Sequence, residues 1–418
     1  MNGPSDNEEE EEEVSVSKVL AMILAGGKGE RLYPLTRDRT KPAVPFGGIY
    51  RIIDFTLSNC VNSNIRCIYI MTQYKSISLN RHVEQGWNIL SNQLDEFIRL
   101  IPAQQQMDES WYQGTADAIF QNLSTLQGEQ PDILLVLSGD HVYKMDYGVM
   151  IDYHRQKNAD LTVAVLQVDK RLSKEFGVVE VDHDYRIRGF QEKPSAPKTI
   201  PENEDCILAS MGIYVFNIEI LVRRLVEDFR HEKSAHDFGK DVIPAMVKRD
   251  RVYAFNFVDP KTGRPAYWRD VGTLDAYWEA NMDLVSGIPQ FNLYDTEWPI
   301  HTFQGHYPPA KTILAKDGKT GAAFNSLLSG GCIIRGGKVL NSLLSPSVKV
   351  DSHAEITDSI LMEGVHIEEG VRVKRAIIDK YVRVPTGIQI GYNRLRDRKR
   401  FTVTDSGIVV IPKAMEVD

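Results

Sequence analysis

Apolar residues follow two rhythms along this chain, and the change of rhythm divides it. Short unbroken apolar runs occur at 19–24, 67–71, 133–137, 161–166 and 212–216. Runs of that length suit strands buried on both faces of a parallel sheet. Between them, 145–157, 218–229 and 274–284 carry apolar residues at helical spacing. Strands alternating with helices predict an α/β domain with a mostly parallel sheet over residues 18–285. The stretch 286–323 is rich in Pro, Gly and aromatics without a period, and reads as a connector.

Beyond it the period changes. Val348, Ala354 and Ile360 are six apart, as are Val365, Val371 and Ile377, and again Val382 and Ile388. The three groups start 17 residues apart, and a second register (Val350/Ile356, Ile367/Val373, Val384/Ile390) runs two residues behind. A strand that turns a corner every six residues with an apolar side chain inward predicts a hexapeptide-type parallel β-helix over 324–418.

Composition and charge refine this picture. A chain of 418 residues exceeds what one core usually serves, so two domains are expected. Apolar residues at 42% and charged residues at 25% suit a soluble globular protein. Of the net charge of -8, Asp6 and the run Glu8 to Glu13 supply seven negative charges, which leaves -1 for the remainder. Residues 1–17 therefore read as a disordered acidic tail on a nearly neutral body. A neutral body argues against a dedicated nucleic-acid binder. No apolar stretch approaches the ~20 residues of a membrane helix, and the acidic start is unlike a signal peptide. Cys60, Cys67, Cys206 and Cys332 form no C-x-x-C pair. A reduced, cytoplasmic protein is expected.

The first apolar run ends in Ala25-Gly26-Gly27-Lys28-Gly29-Glu30-Arg31, with Lys41 shortly beyond. Glycines let backbone N–H groups approach phosphate oxygens, and a helix N-terminus following the loop would add positive potential. The spacing fits neither a dinucleotide fingerprint nor a P-loop. A tight strand-to-helix turn is the plain alternative, but Arg31 and Lys41 make a polyphosphate clamp of the region.

The segments LAGGKGERLYPLT and KPAVPFGG resemble the opening of sugar nucleotidyltransferases. RIIDFTLSNCVNSNI, TQYKS, PAQQQM, WYQGTADAI, SGDHVYKMDY, FGVVEV, EKP, ASMGIYVF, HDFGKDVIP and YWRDVGTLDAYWEAN extend the likeness over residues 18–412. Within that group the text is similar to the glucose-1-phosphate adenylyltransferases. The resemblance implies a Rossmann-like nucleotidyltransferase domain with a mostly parallel mixed sheet, followed by a left-handed parallel β-helix of hexapeptide-type repeats. It also implies transfer of the adenylyl group of ATP to α-D-glucose 1-phosphate with Mg²⁺, in a homotetramer. That reaction brings several negative charges together and needs placed cations and a metal, but no nucleophilic side chain.

By the same resemblance, Asp140 and Asp270 hold the metal, and Arg31 and Lys41 hold the triphosphate beside Gly26, Gly27 and Gly29. Asp140 follows the 133–137 run, at the strand end where open α/β sheets place ligands; a turn or helix cap is the alternative use of such a residue. Lys193 and Glu192 are assigned to the phosphate and a hydroxyl of the sugar phosphate. Tyr112, Gly177, Ser210, Tyr214, Asp237, Phe238 and Trp268 carry over as further sugar-phosphate contacts. Gly177 reads equally as a bulge, Tyr214 as core, and Asp237 as a cap. Gln105, Trp111, Gly114, Thr115, Ala116 and Asp117 resemble nucleotide-side loops. His141 is expected to support the site rather than act as a base.

The family is controlled by phosphorylated metabolites bound between its domains, and Arg39, Arg51, Lys380 and Arg400 match that pocket. Asp38 stands where the enterobacterial form has lysine, and Val403 where it has arginine. An acidic group among cations argues against fructose bisphosphate as the activator and leaves another sugar phosphate, or inhibition by phosphate, open. UTP, dTTP or GTP as the nucleotide, and a non-catalytic regulatory subunit of the same fold, are the alternatives. An acyltransferase using His353 or His366 on the coils is a more distant one.

Overall fold

The computed structural model describes residues 18–103, 111–200 and 203–418. The acidic segment 1–17 and Gln105 lie outside them. The N-terminal strands are β1 (Val19–Leu24), β2 (Pro45–Phe46), β3 (Tyr50–Arg51), β4 (Cys67–Thr72), β5 (Phe97–Pro102), β6 (Ile133–Ser138) and β7 (His141–Tyr143). They continue with β8 (Leu161–Asp169), β9 (Gly177–Val181), β10 (Ile187–Glu192), β11 (Cys206–Asn217), β12 (Val252–Asn256) and β13 (Trp268–Asp270). The helices are α1 (Ile52–Asn62), α2 (Ile77–Gly86), α3 (Thr115–Phe120), α4 (Leu123–Glu129), α5 (Tyr147–Gln156), α6 (Ile218–Phe229), α7 (Ile243–Val247) and α8 (Leu274–Val285).

At the centre of the sheet β1 lies between β6 and β4, with β5 beyond β4, all parallel. The unbroken apolar runs follow from burial on both faces. Leu20 and Met22 join one core cluster, while Ala21 and Ile23 join the other. The sheet is mixed, as the family resemblance implies: the 212–216 run belongs to β11, which is antiparallel to β6 and β8. Its register breaks between Ser210 and Tyr214, where Gly212 adopts φ 69°. The helix expected over 218–229 is α6, capped by the Asn217 side chain. Leu221 and Leu225, one turn apart, are its fully buried residues.

The C-terminal domain is the left-handed parallel β-helix. Val350 pairs in parallel with Ile367 and Ile367 with Val384, while Ile356, Val373 and Ile390 stack on the neighbouring face. These are the 17-residue partners of the sequence pattern. Coiling starts inside the segment expected to be a connector, since Lys311 already pairs with Ile333. That first step spans 22 residues and the next, Ile333 to Lys349, spans 16. The regular period therefore could not reveal the first coil.

The two domains share a core. Leu274, Tyr277, Ala280 and Leu284 of α8 cluster with Leu343, Ile360, Ile377 and Val410 of the β-helix. Phe291 and Ile300 from the connecting stretch complete that cluster. Across the same junction the buried Arg39 Nη2 lies 2.6 Å from Asp379 Oδ2, and Trp278 Nε1 donates to the Asp358 carbonyl at 3.0 Å.

Candidate active site

Adjacent parallel strands bring their C-terminal ends together. The glycine loop after β1 and Ser138-Gly139-Asp140 after β6 therefore open on one cleft of 770 Å³. β13 pairs with β7 so that Asp270 stands opposite His141. The carboxylates of Asp140 and Asp270 and the His141 ring offer ligand atoms within 4.8 Å of one another. Two carboxylates and an imidazole at that spacing are a donor set that suits a divalent cation.

Lys41 stands between the two carboxylates. Its Nζ lies 2.9 Å from Asp140 Oδ2 and 2.7 Å from Asp270 Oδ1, and its side chain is only 8% exposed. The family resemblance puts this lysine on the triphosphate; in the structure it bridges the carboxylates. Burial opposes the ammonium charge, but Asp140 and Asp270 outweigh it and raise the Lys41 pKa. Burial likewise opposes charge on Asp140, yet the Lys41 ammonium, His141 and the Ser138 hydroxyl hold that carboxyl well below the usual range. Burial pushes the His141 imidazole below its ordinary value, so it is neutral at pH 7. Arg31 Nη2 lies 3.8 Å from Asp270 Oδ2. Gly272 leaves the space for this approach, since a Cβ there would fall 3.0 Å from Arg31 Nη2.

Gly29 has φ 64°, which favours glycine, and caps a single 3₁₀ turn, Glu30–Leu32. The helix N-terminus expected behind the loop is therefore not there: the first α-helix after it begins at Ile52. Positive charge at the loop comes from side chains, Lys28, Arg31 and Lys41, which all line the cleft.

A row of rings joins the metal-type cluster to the Glu192–Lys193 turn. His141 meets Trp268 edge-on at 4.8 Å between centroids, and Trp268 meets Phe176 at 5.5 Å. The Phe176 carbonyl accepts from the Lys193 N–H at 3.0 Å. Lys193 itself has φ 50° and a half-exposed side chain, with Nζ 3.5 Å from Glu192 Oε1. The Trp268 indole N–H is buried and has no hydrogen-bond partner among the described residues.

A nucleotidyl transferase family model matches residues 20–287, and a GlmU-like C-terminal hexapeptide model matches 308–411. The chain is 50% identical over 398 residues to a glucose-1-phosphate adenylyltransferase of Koribacter versatilis, covering 95% of each. To a protein of the same name from Methylococcus capsulatus it is 50% identical over 394 residues, 94% of this chain and 93% of that one. A further one, from Dechloromonas aromatica, is 52% identical over 401 residues, 95% of this chain and 91% of the relative. This chain belongs to the glucose-1-phosphate adenylyltransferase family.

Several residues that the family resemblance marks as contacts have clear roles in the fold. Asp117 is buried in α3, where its carboxylate accepts from Gln113 N and Gln121 Nε2. Gly114 lines the cleft, but its lack of a Cβ is required by the protein, since one would fall 2.2 Å from the His236 carbonyl. Phe238 and Tyr214 lie in the core cluster with Phe216, and burial drives the Tyr214 phenol pKa well up. Gly177 makes room for Phe190 and for Glu192 Oε2, which a Cβ would approach to 2.6 and 3.0 Å. Ser210 marks the register break of β11 and receives the Gly212 N–H at 3.4 Å.

Other expected residues do face the cleft. Tyr112 lines it while its hydroxyl accepts from Asn122. Asp237 lines it too, capping the following turn through Gly239 N and Lys240 N and accepting from the Thr115 hydroxyl at 3.0 Å. Gln73 and Tyr74 were missed. They follow β4, the other neighbour of β1, and that adjacency is the signal that would have found them.

A second cavity, of 750 Å³, lies between the domains of this family member. Arg39, Arg51 and Lys380 line it, joined by Arg81 and Lys413, which sequence reading missed. Arg400 does not: it stacks on Phe401 and contacts the C-terminal Asp418 instead. Val403 lies on the short strand Thr402–Val403, away from the cavity wall. Asp38 lines the cavity but pairs with Arg37 at 3.0 Å, which tempers the repulsion expected from it.

Proposed function

We propose that this chain transfers the adenylyl group of ATP to α-D-glucose 1-phosphate, giving ADP-glucose and diphosphate, the first step of glycogen or other α-glucan synthesis. The observation that carries the reading is the convergence of Asp140, Asp270, Lys41 and Arg31 beside the glycine loop. In the reaction an oxygen of the sugar phosphate forms a bond to the α-phosphorus while the bond to the β-phosphate bridge breaks. The attacking oxygen is already anionic, so no base is required and a neutral His141 suffices. Gly26 to Gly29, Arg31 and Lys28 hold the triphosphate, and Lys193 and Trp268 orient the sugar phosphate. Asp140 and Asp270 would hold Mg²⁺, which when bound would supply a Lewis acid for charge on the transferring phosphoryl group. Incubation with glucose 1-phosphate, Mg²⁺ and each nucleoside triphosphate tests the reading. ADP-glucose should dominate, and a preference for UTP, dTTP or GTP would overturn it.

Lys193→Ala should raise KM for glucose 1-phosphate by on the order of ten-fold or more while KM for ATP stays put, the loss expected of one charge-assisted contact. Steady-state kinetics checks this, and an unchanged KM for glucose 1-phosphate would remove Lys193 from the site.

The interdomain cavity is the proposed seat of a phosphorylated effector. Its five cations face two carboxylates, Asp38 and Glu363. Titrating activity with a panel of sugar phosphates and inorganic phosphate should show a response. Arg51→Ala should shift its midpoint by about ten-fold, and silence towards the whole panel would refute the assignment. The same kinship supports a homotetramer; the apolar edge of the first coil, with Leu314 and Phe324 exposed, offers a face for it. No described helix is long and apolar enough to cross a membrane. The free thiols of all four cysteines support a cytoplasmic location.

A further inference from the structure

We propose that Lys41 is a counter-cation that keeps the Asp140–Asp270 pair closed to a divalent ion until a bound triphosphate draws the ammonium away, so that metal and nucleotide enter together. The inference rests on reading those two carboxylates as the metal ligands. Lys41 Nζ holds one oxygen of each, at 2.9 and 2.7 Å. Of the remaining oxygens, Asp140 Oδ1 takes the Ser138 hydroxyl and Asp270 Oδ2 faces Arg31 at 3.8 Å. An ion bridging the pair therefore competes with these contacts, above all with the ammonium that already joins one oxygen of each carboxylate. A monovalent and a divalent cation at contact distance repel strongly, so the two compete for the same seat.

The lysine can leave without disturbing the fold. Its backbone sits in the short turn Lys41–Ala43, buried and stiffened by Pro42. Its stem packs directly on the phosphate-binding loop: a Cβ on Gly29 would lie 3.2 Å from Lys41 Cβ. Rotation of the side chain alone moves the ammonium from the carboxylates towards phosphates held on that loop. Anionic phosphates then replace the lost partners of the lysine, and the two carboxylates become free for the ion that the triphosphate carries.

Manganese(II) binding to the full chain without nucleotide, followed by electron paramagnetic resonance, tests this. Wild-type chain should bind the ion weakly, and Lys41→Met should bind it at least about ten-fold more tightly. Lys41→Gln should behave like Lys41→Met and serves if the latter does not fold, whereas Lys41→Arg should remain as weak as wild type. Adding Asp140→Asn to Lys41→Met should abolish the gain. Equal binding by wild type and the neutral variants would overturn the role of Lys41. Tight binding that survives the added Asp140→Asn would instead show that the carboxylates are not the ligands.

Discussion

Asp140→Asn should lower kcat by on the order of 10²–10³-fold while leaving the melting temperature nearly unchanged. The loss follows from charge. Asp140 is held ionised in a partly buried setting by Lys41, and an amide of the same shape cannot hold a divalent ion with comparable strength. The fold is spared for a separate reason. Asn keeps an oxygen for the Ser138 hydroxyl, and Lys41 retains Asp270 at 2.7 Å. Diphosphate release measured beside circular-dichroism melting separates the two effects. A kcat within a few-fold of wild type would remove Asp140 from the metal site.

Asp54→Ala should be the most destabilising single change in the catalytic domain. Its fully buried carboxylate accepts from His82 Nε2 at 2.6 Å, Trp87 Nε1 at 2.8 Å, the Thr302 hydroxyl at 2.7 Å and the Arg51 N–H at 2.8 Å. Those donors come from the start of α1, from α2 and the residue just past it, and from the segment leading to the β-helix. Alanine would leave them buried without an acceptor, at a cost of about 3–5 kcal/mol. The apparent melting temperature should fall by on the order of 10 °C. Asp54→Asn keeps one accepting oxygen and should recover part of the loss. An unchanged melting temperature in Asp54→Ala would show that the cluster is not a structural anchor.

The cluster around Lys41 shows why the site was only partly legible in the chain. The glycine loop and Asp140 were visible because each directly follows an apolar run, and the strands carrying them are neighbours. Lys41 lies 99 positions from Asp140 and 229 from Asp270 along the chain, so nothing local shows that it bridges them. Arg81 and Lys413 likewise reach the interdomain cavity from distant parts of the chain. Phe238 has a packing role that its motif did not reveal. Its place in a polar motif marked a ligand contact, yet its ring completes an aromatic core with Tyr214 and Phe216. The β-helix was legible where its coils keep the 17-residue period. It was hidden at the first coil, where the spacing changes.

Exchange of radiolabelled diphosphate into nucleoside triphosphate is the most direct measurement of the proposed reaction, run in parallel with ADP-, UDP-, dTDP- and GDP-glucose. It reads the nucleotide and the bond broken at once. Label should enter ATP from ADP-glucose, in a Mg²⁺-dependent manner, far faster than it enters the other triphosphates. Faster exchange with another sugar nucleotide, or none with ADP-glucose, would contradict adenylyl transfer by this chain.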